Sequence, residues 1–243
     1  MKEEQMQQET AGMKASRSAN PDSPTVIGAV ILAAGESRRL GRPKQLLAFG
    51  EDVLLDVVIA AVALPEIEAC VVVLGAYAAE IQARVRCDEC EMMVNVRWRA
   101  GMLTSVQAGI GALPPTCEWA VVFPCDYALV GKDTVARLLL RASRNPEADF
   151  LVPASMGRGG HPIVLRHTLF KNILALPTTA RLDEALKSMA RRELVEVPDP
   201  AIHIDIDTAE QYERAALAWN ARKLATESYA RMLTCDENGR GDA

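Results

Sequence analysis

Between residues 27 and 123 the chain alternates short, apolar, β-branched runs with stretches of helical character, and this rhythm restricts the fold more than any other feature. Residues 27–32, 69–74, 91–96 and 119–123 read as strands. Residues 53–64, which stop at Pro65, residues 78–86 and residues 101–112 read as the helices between them. Strands separated by helices pair in parallel through right-handed crossovers. The expected fold class is therefore α/β, a single doubly wound, mostly parallel (mixed) sheet with helices on both faces. The second half is less regular. Helices are expected at 134–143, 168–176, 182–190 and 208–224, with strands at 150–153, 162–165, 194–197 and 202–206. With 243 residues, 49% of them hydrophobic, the chain can bury one full core. That core is assigned to residues 25–225. Residues 1–24, rich in Glu, Gln, Lys and Ser, are expected to be disordered, and 226–243 to form a C-terminal tail that is loose from Thr234 onward.

The first strand runs into Leu32-Ala33-Ala34-Gly35-Glu36-Ser37-Arg38-Arg39-Leu40-Gly41-Arg42-Pro43-Lys44. Residues this small keep no phosphate away from the backbone. Gly35 and Gly41 permit the positive φ angles that a tight anion-cradling loop needs. Arg38, Arg39, Arg42 and Lys44 add cationic side chains, so a triphosphate suits the loop. Two familiar phosphate motifs do not fit. A P-loop has four residues between its glycines and Ser or Thr after its lysine, whereas here five separate Gly35 from Gly41 and Gln45 follows Lys44. The dinucleotide fingerprint fails because Ser37 stands where its second glycine belongs.

Ligands of such sheets bind outside the carboxyl ends of the strands. The Gly35 loop lies at one such end and Asp126, after the apolar strand 119–123, at another. A carboxylate there suits Mg²⁺, which takes one or two carboxylates together with substrate phosphates; a helix-capping aspartate is the alternative. In Asp205-Ile206-Asp207-Thr208, alternation puts Asp205 and Asp207 on one face of an extended segment, with Asp207 the preferred cation ligand. The alternative is that Asp207 or Thr208 caps the last helix. Thr104 and Ser105 stand at a helix start and suit either caps or a ligand. His161, after Gly157-Arg158-Gly159-Gly160, has no role that composition alone assigns. Cys87-Asp88-Glu89-Cys90 is a lone CxxC; with no second pair at similar spacing it does not read as a zinc site, and surface thiols between elements are expected.

A net charge of -5 without a dominant basic face argues against a nucleic-acid binder. No apolar run approaches the ~20 residues of a membrane span. The first two dozen residues lack a signal core, so a cytoplasmic location is expected.

The loop resembles the signature of MobA-like nucleotidyltransferases, L-A-[AG]-G-x-S-x-R-x-G-x-x-K, with Leu32, Ala33, Ala34, Gly35, Ser37, Arg39, Gly41 and Lys44 in its fixed places. Asp205-Ile206-Asp207-Thr208-Ala209-Glu210 is similar to the family's D-x-D-T-P-E-D box, with Ala209 in place of proline. Gly160-His161-Pro162 resembles the G-H-P segment of the molybdopterin-nucleotide branch, and 101–105 its G-M-x-x-S loop. The resemblance spans roughly residues 27 to 218 and implies a nucleotide-diphospho-sugar-transferase-like Rossmannoid fold. It further implies transfer of a nucleoside monophosphate to molybdopterin with loss of pyrophosphate. Lys44 and Arg39 would hold the triphosphate, Asp126 and Asp207 Mg²⁺, and Ser105 the nucleotide, while Gly160, His161 and Asp205 would lie by the acceptor. Ala34 gives the L-A-A-G form of the cytidylyl branch, implying CTP as donor, and the recipient would be a molybdenum hydroxylase or its maturation factor. Two rival readings are a transferase acting on a sugar or polyol phosphate, and a non-catalytic accessory protein that carries the cofactor.

Overall fold

The computed structural model describes residues 25–85, 87–144 and 147–238. The expected disorder of 1–24 and the last residues of the expected tail, 239–243, lie outside them, as does Arg86 at the end of an expected helix. The main sheet contains β1 (Ile27–Ala33), β4 (Ile67–Leu74), β5 (Cys90–Val94), β6 (Trp119–Pro124), β7 (Phe150–Ser155), β9 (Ile163–Arg166) and β10 (Arg192–Glu196). Their order is β10-β7-β9-β6-β1-β4-β5, with the two-residue β8 (Arg158–Gly159) on β7. β1 pairs in parallel with β4 and β6, β4 with β5, and β10 with β7. β9 runs antiparallel between β6 and β7, which makes the sheet mixed.

β1 shows why the sheet is covered on both sides. Ile27, Ala29, Ile31 and Ala33 point into one apolar cluster, and Val30 and Leu32 into the other, following the period of two. The first cluster is closed by α1 (Leu54–Val62), α2 (Ala78–Arg84), α4 (Lys132–Arg144) and the start of α7 (Ala209–Asn238). The second is closed by α3 (Met102–Ala112), α5 (Phe170–Ala175) and α6 (Leu182–Met189). The chain builds outward through β1, β4 and β5, then returns across β1 to lay down β6. The carboxyl ends of β1 and β6 therefore flank the switch point where such sheets bind ligands.

Three expectations need correction. Residues 202–206 form no strand. Pro200–His203 is a 3₁₀ turn whose first N–H groups are capped by Asp199, the side chain accepting from Ala201 N at 3.0 Å. The backbone beyond it bonds to loops instead of a ladder: Ile202 O accepts from His161 N (3.0 Å), and Ile206 N donates to Asp126 O (3.0 Å). The last helix does not stop near 224 or give way to a loose tail at Thr234. It continues to Asn238, because neither Gly nor Pro interrupts the sequence before Gly239. A short hairpin not anticipated, β2 (Ala48–Phe49) with β3 (Asp52–Val53), leads into α1. Among the described residues no helix is long and apolar enough to cross a membrane.

Candidate active site

The loop after β1 is shaped by two left-handed residues, Ser37 (φ 53) and Gly41 (φ 65). Gly35 was expected to need a positive φ and does not; its surroundings are instead open, with no atom within 4 Å of where a Cβ would lie. Backbone groups there can meet a ligand directly. Ser37 Oγ accepts from Lys44 N at 3.1 Å, which ties the two ends of the signature together. Gln45 is fully buried beneath the loop and donates to Ala33 O (2.7 Å) and Gly35 O (3.1 Å). Leu32 O accepts from Cys125 N at 3.1 Å, joining the ends of β1 and β6 and setting Asp126 beside the loop.

Lys44 lies at the centre. Its Nζ donates to Asp126 Oδ2 at 3.1 Å and to Asp207 Oδ1 at 2.6 Å, while Arg39 reaches Asp207 Oδ2 at 2.8 Å. Two cations and two carboxylates from three distant stretches thus form one compact network. Arg38 and Arg42 are not part of it: Arg38 pairs with Glu36, and Arg42 lies over the Tyr212 ring. Burial works against the charge of Lys44, but Asp126 and Asp207 outweigh it and hold its pKa above the ordinary lysine value. Burial likewise disfavours ionised Asp207, yet its hydrogen bond to Lys44 and the charges of Lys44 and Arg39 bring its pKa below the ordinary range. Both groups are charged at neutral pH.

Asp207 is free for this role because its neighbour takes the cap. Gln211 N donates to Thr208 Oγ1 (3.2 Å) and Gln211 Oε1 accepts from Thr208 N (2.9 Å), a reciprocal capping box at the start of α7. Gln211 Oε1 also accepts from Asp207 N at 3.0 Å. Asp205, by contrast, accepts from Gln211 Nε2 at 3.4 Å and stands apart from Lys44.

Among the described residues no three His, Cys, Asp or Glu side chains group as a metal cage. The donor set nevertheless fits a cation of the Mg²⁺ type, which needs only one or two carboxylates beside substrate phosphates. Asp126 supplies a specific sign of fit. Its Oδ1 is buried without any hydrogen-bond partner, a costly arrangement unless a ligand completes it.

Beside this network lies a cavity of about 840 Å³. Tyr127, directly after Asp126, and His161 line it with their rings 4.6 Å apart; Arg158 and Arg192 line it as well, as do Arg181 and Lys187, both paired with Asp183. Burial lowers the His161 pKa despite the nearby Asp126, so the imidazole is neutral at pH 7. Gly160 permits the close approach that places His161: a Cβ there would lie 2.3 Å from Ile202 O. Ser105 is buried at the foot of α3, its Oγ accepting from Asn95 Nδ2 at 3.0 Å, while Thr104 Oγ1 accepts from the same amide at 2.9 Å. Sequence reasoning missed Gln45, Gln211, Tyr127, Asn95 and the cavity cations. Gln45 and Tyr127 adjoin residues already singled out, Arg158 lies within the quoted glycine turn, and Gln211 completes a Thr-x-x-Gln capping-box pattern with Thr208, whereas Asn95, Arg181, Lys187 and Arg192 show no sequence signal.

Residues 29–196 match the family described as MobA-like NTP transferase domain. A curated relative, the nicotine blue oxidoreductase of Paenarthrobacter nicotinovorans, is 32% identical over 203 residues, covering 79% of this chain and 97% of its own. The molybdenum cofactor cytidylyltransferase of Escherichia coli is 26% identical over 189 residues, covering 77% and 94%. Among solved structures, Rv0371C of Mycobacterium tuberculosis in complex with manganese superposes with a TM-score of 0.65 at 23% identity, over 80% of this chain and 99% of that one.

Proposed function

The chain belongs to the MobA-like NTP transferase family, and from that premise we propose that it transfers CMP from CTP to the terminal phosphate of molybdopterin, with release of pyrophosphate. One observation carries the reading: Lys44, Asp126 and Asp207 converge at 3.1 and 2.6 Å outside the switch point of the sheet, beside an open small-residue loop.

In the reaction an oxygen of the acceptor phosphate forms a bond to the α-phosphorus, and the bond from that phosphorus to the pyrophosphate oxygen breaks. A phosphate monoester is already anionic at neutral pH, so the attack requires no general base. Positioning and charge neutralisation carry the rate. The loop amides, Arg39 and Lys44 hold the triphosphate and take up charge as pyrophosphate leaves. Asp126 and Asp207 would hold Mg²⁺, which would supply charge neutralisation for the phosphates. Ser105 and Ala34 border the base, and Gly160, His161 and Asp205 border the acceptor. The volume of the cavity, with Arg158 and Arg192 in its lining, suits a phosphorylated acceptor of molybdopterin size. Residues 25–225 form the catalytic unit, acting in the cytoplasm and supplying a molybdenum hydroxylase.

A second reading follows from the identity to the Paenarthrobacter relative, namely an oxidoreductase on the same fold. Pyrophosphate release separates the two. With Mg²⁺ present, CTP, GTP and ATP are each offered with molybdopterin, with a sugar phosphate, and alone. Release with CTP and molybdopterin is the expected result. Release driven by a sugar phosphate moves the acceptor assignment, and release under no condition ends the transferase reading.

A further inference from the structure

Three thiols meet away from the active site, towards the amino-terminal ends of the outer strands. Cys70 of β4 stands directly opposite Cys90 of β5 in the parallel ladder. The turn after α2 carries Cys87 back, so that its Sγ lies 2.8 Å from Cys90 Sγ. All three are partly exposed, whereas Cys117 and Cys125 are buried. The sulfur contact is inside the sum of two van der Waals radii, which distinguishes this pair from surface thiols that merely share a loop. It also argues against a metal: two thiolates on one tetrahedral zinc, each at about 2.3 Å, lie about 3.8 Å apart.

We propose that Cys87 and Cys90 form a reversible disulfide by exchange with a small-molecule disulfide such as oxidised glutathione, with Cys70 positioning the Cys90 thiol. The deprotonated Cys87 sulfur attacks one sulfur of the oxidant, forming a mixed disulfide and releasing one glutathione thiolate. Deprotonated Cys90 then attacks the Cys87 sulfur, expelling the second glutathione. The protein loses two protons and two electrons, and the oxidant is reduced to two thiols. Burial pushes the Cys87 thiol up to about 11, and the neighbouring Cys70 thiol, followed by burial, pushes Cys90 up as well. Disfavoured thiolates react slowly but also leave poorly, so the closed disulfide resists reduction. β5 is the last strand of the sheet, and the bridge fastens its first residue to the turn from α2. The effect falls on this edge and leaves the phosphate loop untouched.

The test uses the reduced full-length chain, equilibrated in glutathione buffers of graded oxidation, quenched with an alkylating agent and mapped by mass spectrometry. The expected product has lost about 2 Da, carries a Cys87–Cys90 cross-link, and is restored by dithiothreitol. In urea the same pair requires a roughly tenfold more oxidising buffer, because the fold no longer holds the sulfurs together. Cys70→Ser retains the cross-link but requires a more oxidising buffer to form it, a readout of the positioning role that an unchanged midpoint would remove. Equal midpoints in native and urea-unfolded protein, a stable glutathione adduct on Cys87 or Cys90, or a Cys70–Cys90 link in its place would each overturn the proposal.

Discussion

Replacing Lys44 by methionine tests the charge network at its centre. The alkyl stem keeps its packing, but Asp126 and Asp207 lose the ammonium at 3.1 and 2.6 Å. At an effective dielectric of 20, the pairs are worth about 5 and about 6 kcal/mol of gross attraction. Desolvation of the three ions opposes this by several kcal/mol each. The two acids are 22% and 23% exposed, so water relieves part of their repulsion in the variant, and Arg39 still holds Asp207 at 2.8 Å. Charge-assisted hydrogen bonds contribute about 1.5–3 kcal/mol each, and the exposure discounts that. The expected net loss is about 2 kcal/mol at pH 7, or roughly 4–8 °C in Tm for a domain of this size. The pH dependence has a definite sign. Lys44 is raised above its ordinary 10.5, so its contribution is complete below that value and fades as the pH climbs through the folded value. Asp207 is lowered below its ordinary 3.8, so its contribution is complete above that value and fades as the pH falls through the folded value. The gap between wild type and variant is therefore widest between those limits and shrinks as the pH drops below 3.8. Urea unfolding followed by tryptophan fluorescence at pH 7 and pH 3 measures it. A gap unchanged between the two pH values, or a variant as stable as wild type at pH 7, would refute this account of the network.

Asp126→Asn should lower the pyrophosphate-release rate by about 10³-fold or more while the circular dichroism spectrum and thermal transition stay close to wild type; near-normal turnover would put the cation elsewhere. Gly160→Ala drives a Cβ to 2.3 Å from the Ile202 carbonyl, and the backbone must shift, so a loss of about 2–3 kcal/mol in urea unfolding is expected. A Gly160→Ala chain of wild-type stability would show that the turn before His161 has room to move. Gln45→Leu strands the Ala33 and Gly35 carbonyls, costing about 1–2 kcal/mol and weakening the thermal shift that CTP with Mg²⁺ confers. An undiminished nucleotide shift would mean that the loop holds its form without that amide.

Much of the sheet was legible in the chain because its determinants are local. The β-branched alternation of β1 sends Ile31 one way and Leu32 the other whatever the rest of the chain does. The position of Asp126 after β6 was legible for the same reason. Legibility failed at 202–206, where Ile202, Ile204 and Ile206 alternate as a strand does. Pro200 and the Asp199 cap wind the segment into a turn, and its carbonyl and N–H groups bond to His161 and Asp126 rather than to a neighbouring strand. The cysteines failed differently: a CxxC spacing says nothing of a third thiol that arrives from another strand.

By itself, then, the sequence determined the alternating layers, the small-residue loop and the presence of acids at strand ends, since propensity and periodicity act over a few residues. Only the tertiary structure brought Asp207 to Lys44, 163 residues away, and Asp205 to Gln211, gave Thr208 the cap and buried Gln45 under the loop. Those outcomes depend on which backbone groups remain unpaired after the sheet has formed and on which side chains can reach them, and neither quantity is contained in any local stretch of the chain.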